Sequence, residues 1–360
     1  MNFFRHDAGI AEAEAVKQAI LDGHLTTGVK LREFARLLER RFNFYRVELC
    51  SSGTSALQLA LHAIGIGPGD EVITTPYVGV WTPNTILMNG ATPVFADIDR
   101  DTYNLDPKSV AKKVTNKTMA VMPVSVNGVP CDYAGLRAVL PPWVRIICDD
   151  IEALGSTRQG QYVGADVGND ISVHGFWVSK QVTTCGGGMV TSQDDGFLTK
   201  FEKLTRHGHG LLGDMWEQSF GFNAWLSDPQ AAMGIVQLAR MQEKQDRLLD
   251  VKAQMDFLFG DLRKQKPRDG DTATEFVYLI ELPEGVNKRA YADRMTSYGV
   301  PTRPYFNSLL EVPHLRPYAW TASCPIATEV ASRTIALPYH WKLTWDEVSQ
   351  IGSAHERSIA

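Results

Sequence analysis

Between residues 47 and 191 short runs rich in valine and isoleucine recur: VELC (47–50), EVIT (71–74), PVFAD (93–97), MAVMPV (119–124), VRIIC (144–148), ISVHGF (171–176) and GMVT (188–191). Each is too short for a helix, and helical stretches separate many of them. This alternation is the strongest constraint in the chain. Strand–helix–strand units can bury both faces of a sheet only if the strands run mostly parallel under helices. The reading is an α/β fold with a mostly parallel central sheet and helices on both faces.

Two helices precede the first strand. Ile10, Ala13, Val16 and Ile20 mark an apolar face on one, and Leu31, Phe34, Leu38 and Phe42 on the other. After residue 230 the pattern changes. Residues 230–264 read as one long charged helix. A strand (275–282), a helix (287–298), a strand ending in PTRPY (301–305) and a helix after Thr344 follow. Residues 1–240 therefore form an expected large α/β domain, and 241–360 a smaller C-terminal α+β domain; 360 residues suffice for about two.

Composition excludes several classes. Lys and Arg number 36 against 41 Asp and Glu, a net charge of −5. No basic excess exists to neutralise a phosphate backbone, so nucleic acid is not an expected partner. No run approaches the ~18 apolar residues of a membrane span, and the N-terminus lacks the pattern of a secretory signal. The five cysteines are scattered and form no C-x-x-C pair. They read as reduced thiols in a cytoplasmic protein, without a metal or a disulfide framework.

Open α/β sheets bind ligands at the carboxyl ends of their strands. Three polar clusters fall there. Ser51-Ser52-Gly53-Thr54-Ser55 joins a strand to a helix carrying Leu57, Leu61 and Ile64. It is either a phosphate cradle or an ordinary helix cap. Asp149 follows VRIIC, with Asp150 beside it and Glu152 three residues on; an acid there holds a cation or caps a helix. Lys180, after ISVHGF and before Gly186-Gly187-Gly188, is a solvated surface lysine or an amine nucleophile. Each cluster is ambiguous alone. Together a phosphate site, an acid and an amine match the needs of pyridoxal 5'-phosphate: a lysine for its aldehyde, an acid for its ring nitrogen, donors for its phosphate.

Rival motifs are weak. Gly65-Ile66-Gly67-Pro68-Gly69 ends a helix instead of following a strand. His207-Gly208-His209 has no acid or cysteine nearby. Ser172 and His174 lack the G-x-S-x-G context of a nucleophile elbow.

The segments SSGTSALQLALHAIGIGPGDEVITTPY, GATPVFADIDRDTYNLD, NGVPCD, DDIEALGS, KQVTTCGGGMVT, FNAWLSDPQAAMGIVQL and YGVPTRPYF, in this order, resemble the DegT family of sugar-nucleotide aminotransferases. The resemblance spans roughly residues 10–355. It implies a type I aminotransferase fold and a homodimer with shared active sites. Lys180 is then the residue that carries the cofactor, and Asp149 faces the ring nitrogen. Glu152 sits beside the phenolic oxygen, and Gly53, Thr54, Ser55 and Gly175 belong to the cofactor site. Asn223 would reach the partner's phosphate, and Trp81, His209, Arg303 and Tyr305 would line the substrate site. Many members carry Gln at position 152. A Glu resembles the perosamine-synthase branch, which aminates C4 of a nucleotide-linked 4-keto-6-deoxy sugar, with glutamate as the expected donor. The related 3-dehydratases replace the lysine with His, whereas this chain keeps Lys180. Departures from the family pattern are Gly79 for the aromatic stacked on the ring, Gly175 for a Ser, Gly186 for a Glu, Ala224-Trp225 for Tyr-Arg and Leu310 for a His. Two other readings use the same residues: an enzyme of this fold with another reaction, and a ligand-binding chain without catalysis.

Overall fold

The computed structural model describes residues 1–165, 168–209, 219–319 and 322–359. Seven short strands, β1 (Val47–Cys50), β2 (Glu71–Thr74), β3 (Thr92–Phe95), β4 (Thr118–Val121), β5 (Arg145–Asp149), β8 (Ile171–Gly175) and β9 (Gly188–Thr191), form the main sheet. Between β5 and β8 lies a two-residue hairpin, β6 (Thr157–Arg158) with β7 (Gln161–Tyr162). The sheet order is β1-β9-β8-β5-β4-β2-β3. β2, β3, β4, β5 and β8 pair in parallel, and β9 runs antiparallel to both β1 and β8. The carboxyl ends of β1, β5 and β8 therefore share one edge.

β1, β2 and β9 have the expected bounds, and β3, β4, β5 and β8 differ from theirs at one or both ends by one to three residues. β4 stops at Val121, two residues before Pro123, which has no N–H for a ladder. The Pro123 carbonyl still accepts from the Asp149 N–H at 2.9 Å, which places Asp149 as the last residue of β5.

The helix Gly53–Ala63 buries Ala56, Leu57, Leu59, Ala60 and Leu61 against the sheet. The helix Val29–Phe42 buries the expected Leu31, Phe34, Leu38 and Phe42. The first helix, Ile10–Leu21, departs from its expected face. Glu12 and Ala19 are buried, whereas Ile10 is 89% and Ile20 50% exposed. The cause is polar anchoring: Glu12 accepts from Gln237 Nε2 at 2.8 Å and from Arg240 Nη1 at 3.1 Å, so its side of the helix faces inward.

The expected single helix over 230–264 is two helices, Asp228–Ala239 and Met241–Phe259, broken at Arg240, where φ is −94° and ψ −1°. Beyond them a second sheet has the order β10-β12-β11, from β10 (Tyr278–Glu281), β11 (Arg303–Pro304) and β12 (Thr334–Leu337). Its middle strand, β12, and the preceding helix, Pro325–Arg333, are absent from the sequence reading. Four apolar or β-branched residues carry too little periodicity to identify a strand, although TIAL is wholly buried. Among the described residues no helix is long and apolar enough to cross a membrane.

Candidate active site

The three polar clusters meet at the shared sheet edge. Ser52 caps the helix Gly53–Ala63, its Oγ accepting from the Ser55 N–H at 3.0 Å. The cap leaves room for the phosphate-cradle reading, because Gly53 and Thr54 line the cleft and the first N–H groups of a helix have no partner within it. The glycine run has a steric reason. A Cβ on Gly188 would lie 2.6 Å from Ser52 and Gly53 backbone atoms, and Ser52 bridges Gly187. Only glycine lets the loop after Lys180 press against the cradle.

A cleft of about 910 Å³ opens above this edge. Gly53, Thr54, Trp81, Glu152, Gly175, Lys180, Arg303 and Tyr305, all expected site residues, line it. Asp149 is buried beneath, its Oδ2 accepting from Thr82 Oγ1 at 2.6 Å. Ser55 is one step back: its hydroxyl meets Ser52 Oγ at 2.8 Å and Ser51 Oγ at 3.2 Å. Asn223 and His209 are not among the residues that line this cleft. Asn223 is exposed and bridges Arg206, and His209 donates its N–H to the Arg206 carbonyl at 2.9 Å.

The electrostatics are specific. Lys180 Nζ donates to Glu152 Oε1 at 3.1 Å and lies 3.8 Å from the centre of the Phe276 ring. Glu152 Oε2 accepts from the Asn127 N–H at 3.0 Å and from the Tyr305 hydroxyl. Burial pushes the Asp149 carboxyl up to about 7, and the charges of Glu152 and Asp150 add to the rise while Thr82 opposes it. Among the described residues no salt bridge reaches Asp149. Asp150 turns elsewhere, accepting from Ser125 and Ser172 at 2.6 Å and from Tyr133 at 3.0 Å. His174 is buried and its ring is pushed down to about 3 by burial; Ser172 donates to Asp150, so the pair forms no nucleophile. Among the described residues no cluster could hold a metal ion.

Two glycines of the cleft are covered by neighbouring side chains. A Cβ on Gly79 would lie 2.1 Å from the Trp81 indole, so that ring occupies the place of a side chain at 79. A Cβ on Gly175 would lie 3.0 Å from Ile151 Cγ2, and one on Gly53 2.7 Å from Ile151 Cδ1. Sequence reasoning missed Thr82, Asn127, Phe276 and Ile151, and also Phe3, Phe4 and Trp177, which line the cleft. Their partners come from distant segments; the clues in the sequence were the adjacency of Thr82 to Trp81, of Ile151 to Asp150 and Glu152, and the place of Asn127 at the head of NGVPCD.

These residues fit pyridoxal 5'-phosphate. An acid buried without a cation suits a protonated ring nitrogen, an amine faces the same cleft, and a helix N-terminus with hydroxyls suits a phosphate. The comparisons agree. The model of the DegT/DnrJ/EryC1/StrS aminotransferase family matches residues 7–355. The chain is 30% identical over 369 residues to the spore coat polysaccharide biosynthesis protein SpsC of Bacillus subtilis, covering 95% of this chain and 93% of that protein. It is 32% identical over 320 residues to the GDP-perosamine synthase of Caulobacter vibrioides, covering 86% and 85%. The crystal structure of the aminotransferase TlmJ from Streptoalloteichus hindustanus superposes with a TM-score of 0.92 at 27% identity, covering 100% and 98%. With the fold, the cleft and these likenesses together, the chain belongs to the DegT/DnrJ/EryC1/StrS aminotransferase family and is a pyridoxal-phosphate-dependent sugar aminotransferase.

Proposed function

We propose that this enzyme moves an amino group from glutamate to the 4-keto carbon of a nucleotide-linked 4-keto-6-deoxyhexose, for the synthesis of a surface polysaccharide or other glycan. The observation that carries the reading is Lys180 in ion-pair contact with Glu152 above the buried Asp149, which no salt bridge reaches among the described residues. The likeness to a GDP-perosamine synthase and to a polysaccharide biosynthesis protein supports the sugar class. The cleft suits it as well. Trp81, Trp177 and Phe306 offer apolar faces to a sugar or a base, and the exposed guanidinium of Arg303, 4.7 Å from the Phe3 ring, offers a charge to a diphosphate.

The cofactor, when bound, supplies an electron sink for the carbon that loses its proton. The chain does the rest. Lys180 would hold the cofactor, and its free Nζ would take up the proton that the donor's Cα loses. Asp149 would pair a positive ring nitrogen, Glu152 would serve the phenolic-oxygen side, and Gly53, Thr54, Ser55 and Gly175 would shape the phosphate end. The donor leaves as its 2-oxo acid and the ketone becomes an amine.

The reading extends to a homodimer with shared sites. Asn223 and His209 lie off their own chain's cleft, and Ile10, Ile20, Leu21, Leu25 and Val29 form exposed apolar positions at the N-terminal helices. It places the domain boundary near residue 240, at the helix break, and the protein in the cytoplasm, where its five free cysteines stay reduced.

Two measurements test it. Borohydride reduction of the loaded enzyme, followed by peptide mapping, fixes the cofactor on Lys180; an adduct on another lysine refutes the assignment. Incubation with glutamate and a panel of keto-sugar nucleotides yields an amino sugar from a 4-keto-6-deoxy member. Turnover confined to other ketones, or loss of water without amination, refutes the substrate.

A further inference from the structure

Tyr305 was expected to touch substrate, yet its hydroxyl is committed elsewhere. It follows β11's Arg303 and Pro304 on the second sheet and donates across to Glu152, which lies just beyond β5 of the main sheet. The ring stacks on Phe306 with centres 4.1 Å apart, and the Tyr305 carbonyl accepts from the Tyr77 hydroxyl. Burial, and then the charge of Glu152, hold the Tyr305 hydroxyl well above its ordinary range, so it stays a proton donor. Glu152 thus has one oxygen, Oε2, filled by Tyr305 and the Asn127 N–H. The other, Oε1, is left to face Lys180 Nζ at 3.1 Å.

The groups around Glu152 come from several elements, and the Gln181 amide and the Thr274 hydroxyl donate to its backbone carbonyl. Lys180 lies after β8, Asp149 ends β5, Tyr305 follows β11 and Tyr77 follows β2; Phe276 adds a ring face toward the same nitrogen. Lys180 is the one cation among them. An anion pinned at one oxygen and open at the other is a counter-ion of fixed position.

We propose that Tyr305 is a positioning residue: with the Asn127 N–H it pins Glu152 as the carboxylate counter-ion of the Lys180 nitrogen, both when that nitrogen is free and when it carries the cofactor. This rests on the reading of Lys180 as the cofactor-bearing residue. It links the second sheet to the reacting nitrogen through two side chains, and it takes the Tyr305 hydroxyl out of the set that contacts the sugar.

The test is a pH titration of the visible absorbance of the loaded enzyme, which reports the proton on the nitrogen joining Lys180 to the cofactor. Glu152→Gln removes the charge and keeps the shape. It is expected to lower the midpoint by about one pH unit or more. Tyr305→Phe keeps the ring and its packing on Phe306. It is expected to lower the midpoint by less, to add nothing in the Glu152→Gln background, and to reduce kcat while leaving the KM for the sugar unchanged. An unmoved midpoint in Glu152→Gln overturns the inference. So does a Tyr305→Phe effect of equal size in both backgrounds, or a raised KM with no change of midpoint. Borohydride mapping separates the two levels: an adduct away from Lys180 overturns the assignment of the lysine and this inference with it, whereas an unmoved midpoint with the adduct on Lys180 overturns the inference alone.

Discussion

Asp149 has a hydroxyl and a backbone N–H as hydrogen-bond partners, from Thr82 at 2.6 Å and Ile151 at 3.4 Å. A carboxylate so placed gains most from a cationic ring nitrogen, and Asn offers the shape without the charge. Asp149→Asn should lower the rate of both half-reactions by roughly 10²–10³, a few kcal/mol at 1.36 kcal/mol per decade. Single-turnover absorbance measures it, and Asp150→Asn is the contrast, since Asp150 serves Ser125, Tyr133 and Ser172. The same residue sets a pH dependence of stability. Burial raises its carboxyl from 3.8 to about 7. Below about pH 4 both folded and unfolded chains hold the proton and this stabilisation is fully present. As pH rises through about 7 it is lost, because only the unfolded chain ionises without cost; the full span is roughly 4 kcal/mol. The resistance of the cofactor-free protein to urea should therefore fall as pH rises across this window, and fall less in Asp149→Asn. Glu48, also raised to about 7 by burial and by Glu202, contributes in the same window, so the informative quantity is the difference between the two proteins.

Elements are fixed in place by polar ends as much as by apolar faces. The helix Val29–Phe42 has no side-chain cap of its own at Gly28. Asp228, at the start of a helix some 200 residues later, supplies it: its carboxylate accepts from the N–H groups of Leu31 at 2.9 Å and Lys30 at 3.1 Å. Gly28 leaves the room, since a Cβ there would lie 2.4 Å from Asp228 Oδ2. Replacing a capping Asp by Ala removes two acceptor bonds at once. Asp228→Ala should cost about 1–2 kcal/mol, read as a lower urea midpoint at unchanged slope. A result within a few tenths of a kcal/mol would show that solvent replaces the cap. None of this is legible from the run SDPQ, which reads as a local helix start.

For the whole molecule the two sheets are joined through a buried acid. The Glu281 side chain on β10 is fully enclosed and accepts from Arg100 Nη1 at 2.5 Å, Arg100 Nη2 at 2.8 Å and the Tyr103 hydroxyl. Burial alone would raise its carboxyl; the donors Arg100 and Tyr103 pull it below the ordinary value. Tyr77, edge-on to Tyr103 with ring centres 5.9 Å apart, continues the connection to Tyr305. Beyond one chain, the proposed shared sites predict complementation. Lys180→Ala and Asn223→Ala chains, each inactive alone, should regain part of the activity when mixed, because one hybrid site holds both intact residues. Full activity of a monomer at low concentration would refute it.

The alternation of short buried strands with helices was enough, by itself, to determine a mostly parallel sheet, because no other arrangement covers both faces of such strands. The ends of β1, β5 and β8 likewise pointed to Thr54, Asp149 and Lys180, since ligands meet open sheets at those ends, and the structure brings the three segments to one edge with Thr54 and Lys180 lining the cleft. What tertiary structure decided lies between segments distant in the chain. Gly79 and Gly175 read as departures from the family pattern, yet Trp81 and Ile151 fill the space beside them. Tyr305 read as a substrate contact; it lines the cleft, and its hydroxyl meets Glu152. The apolar positions of the first helix read as a buried face, and Glu12 turns them outward. Periodicity and motif spacing record the environment along one element. The occupancy of a shared volume, and which donor meets which acceptor across two sheets, depend on residues with no fixed spacing in the chain.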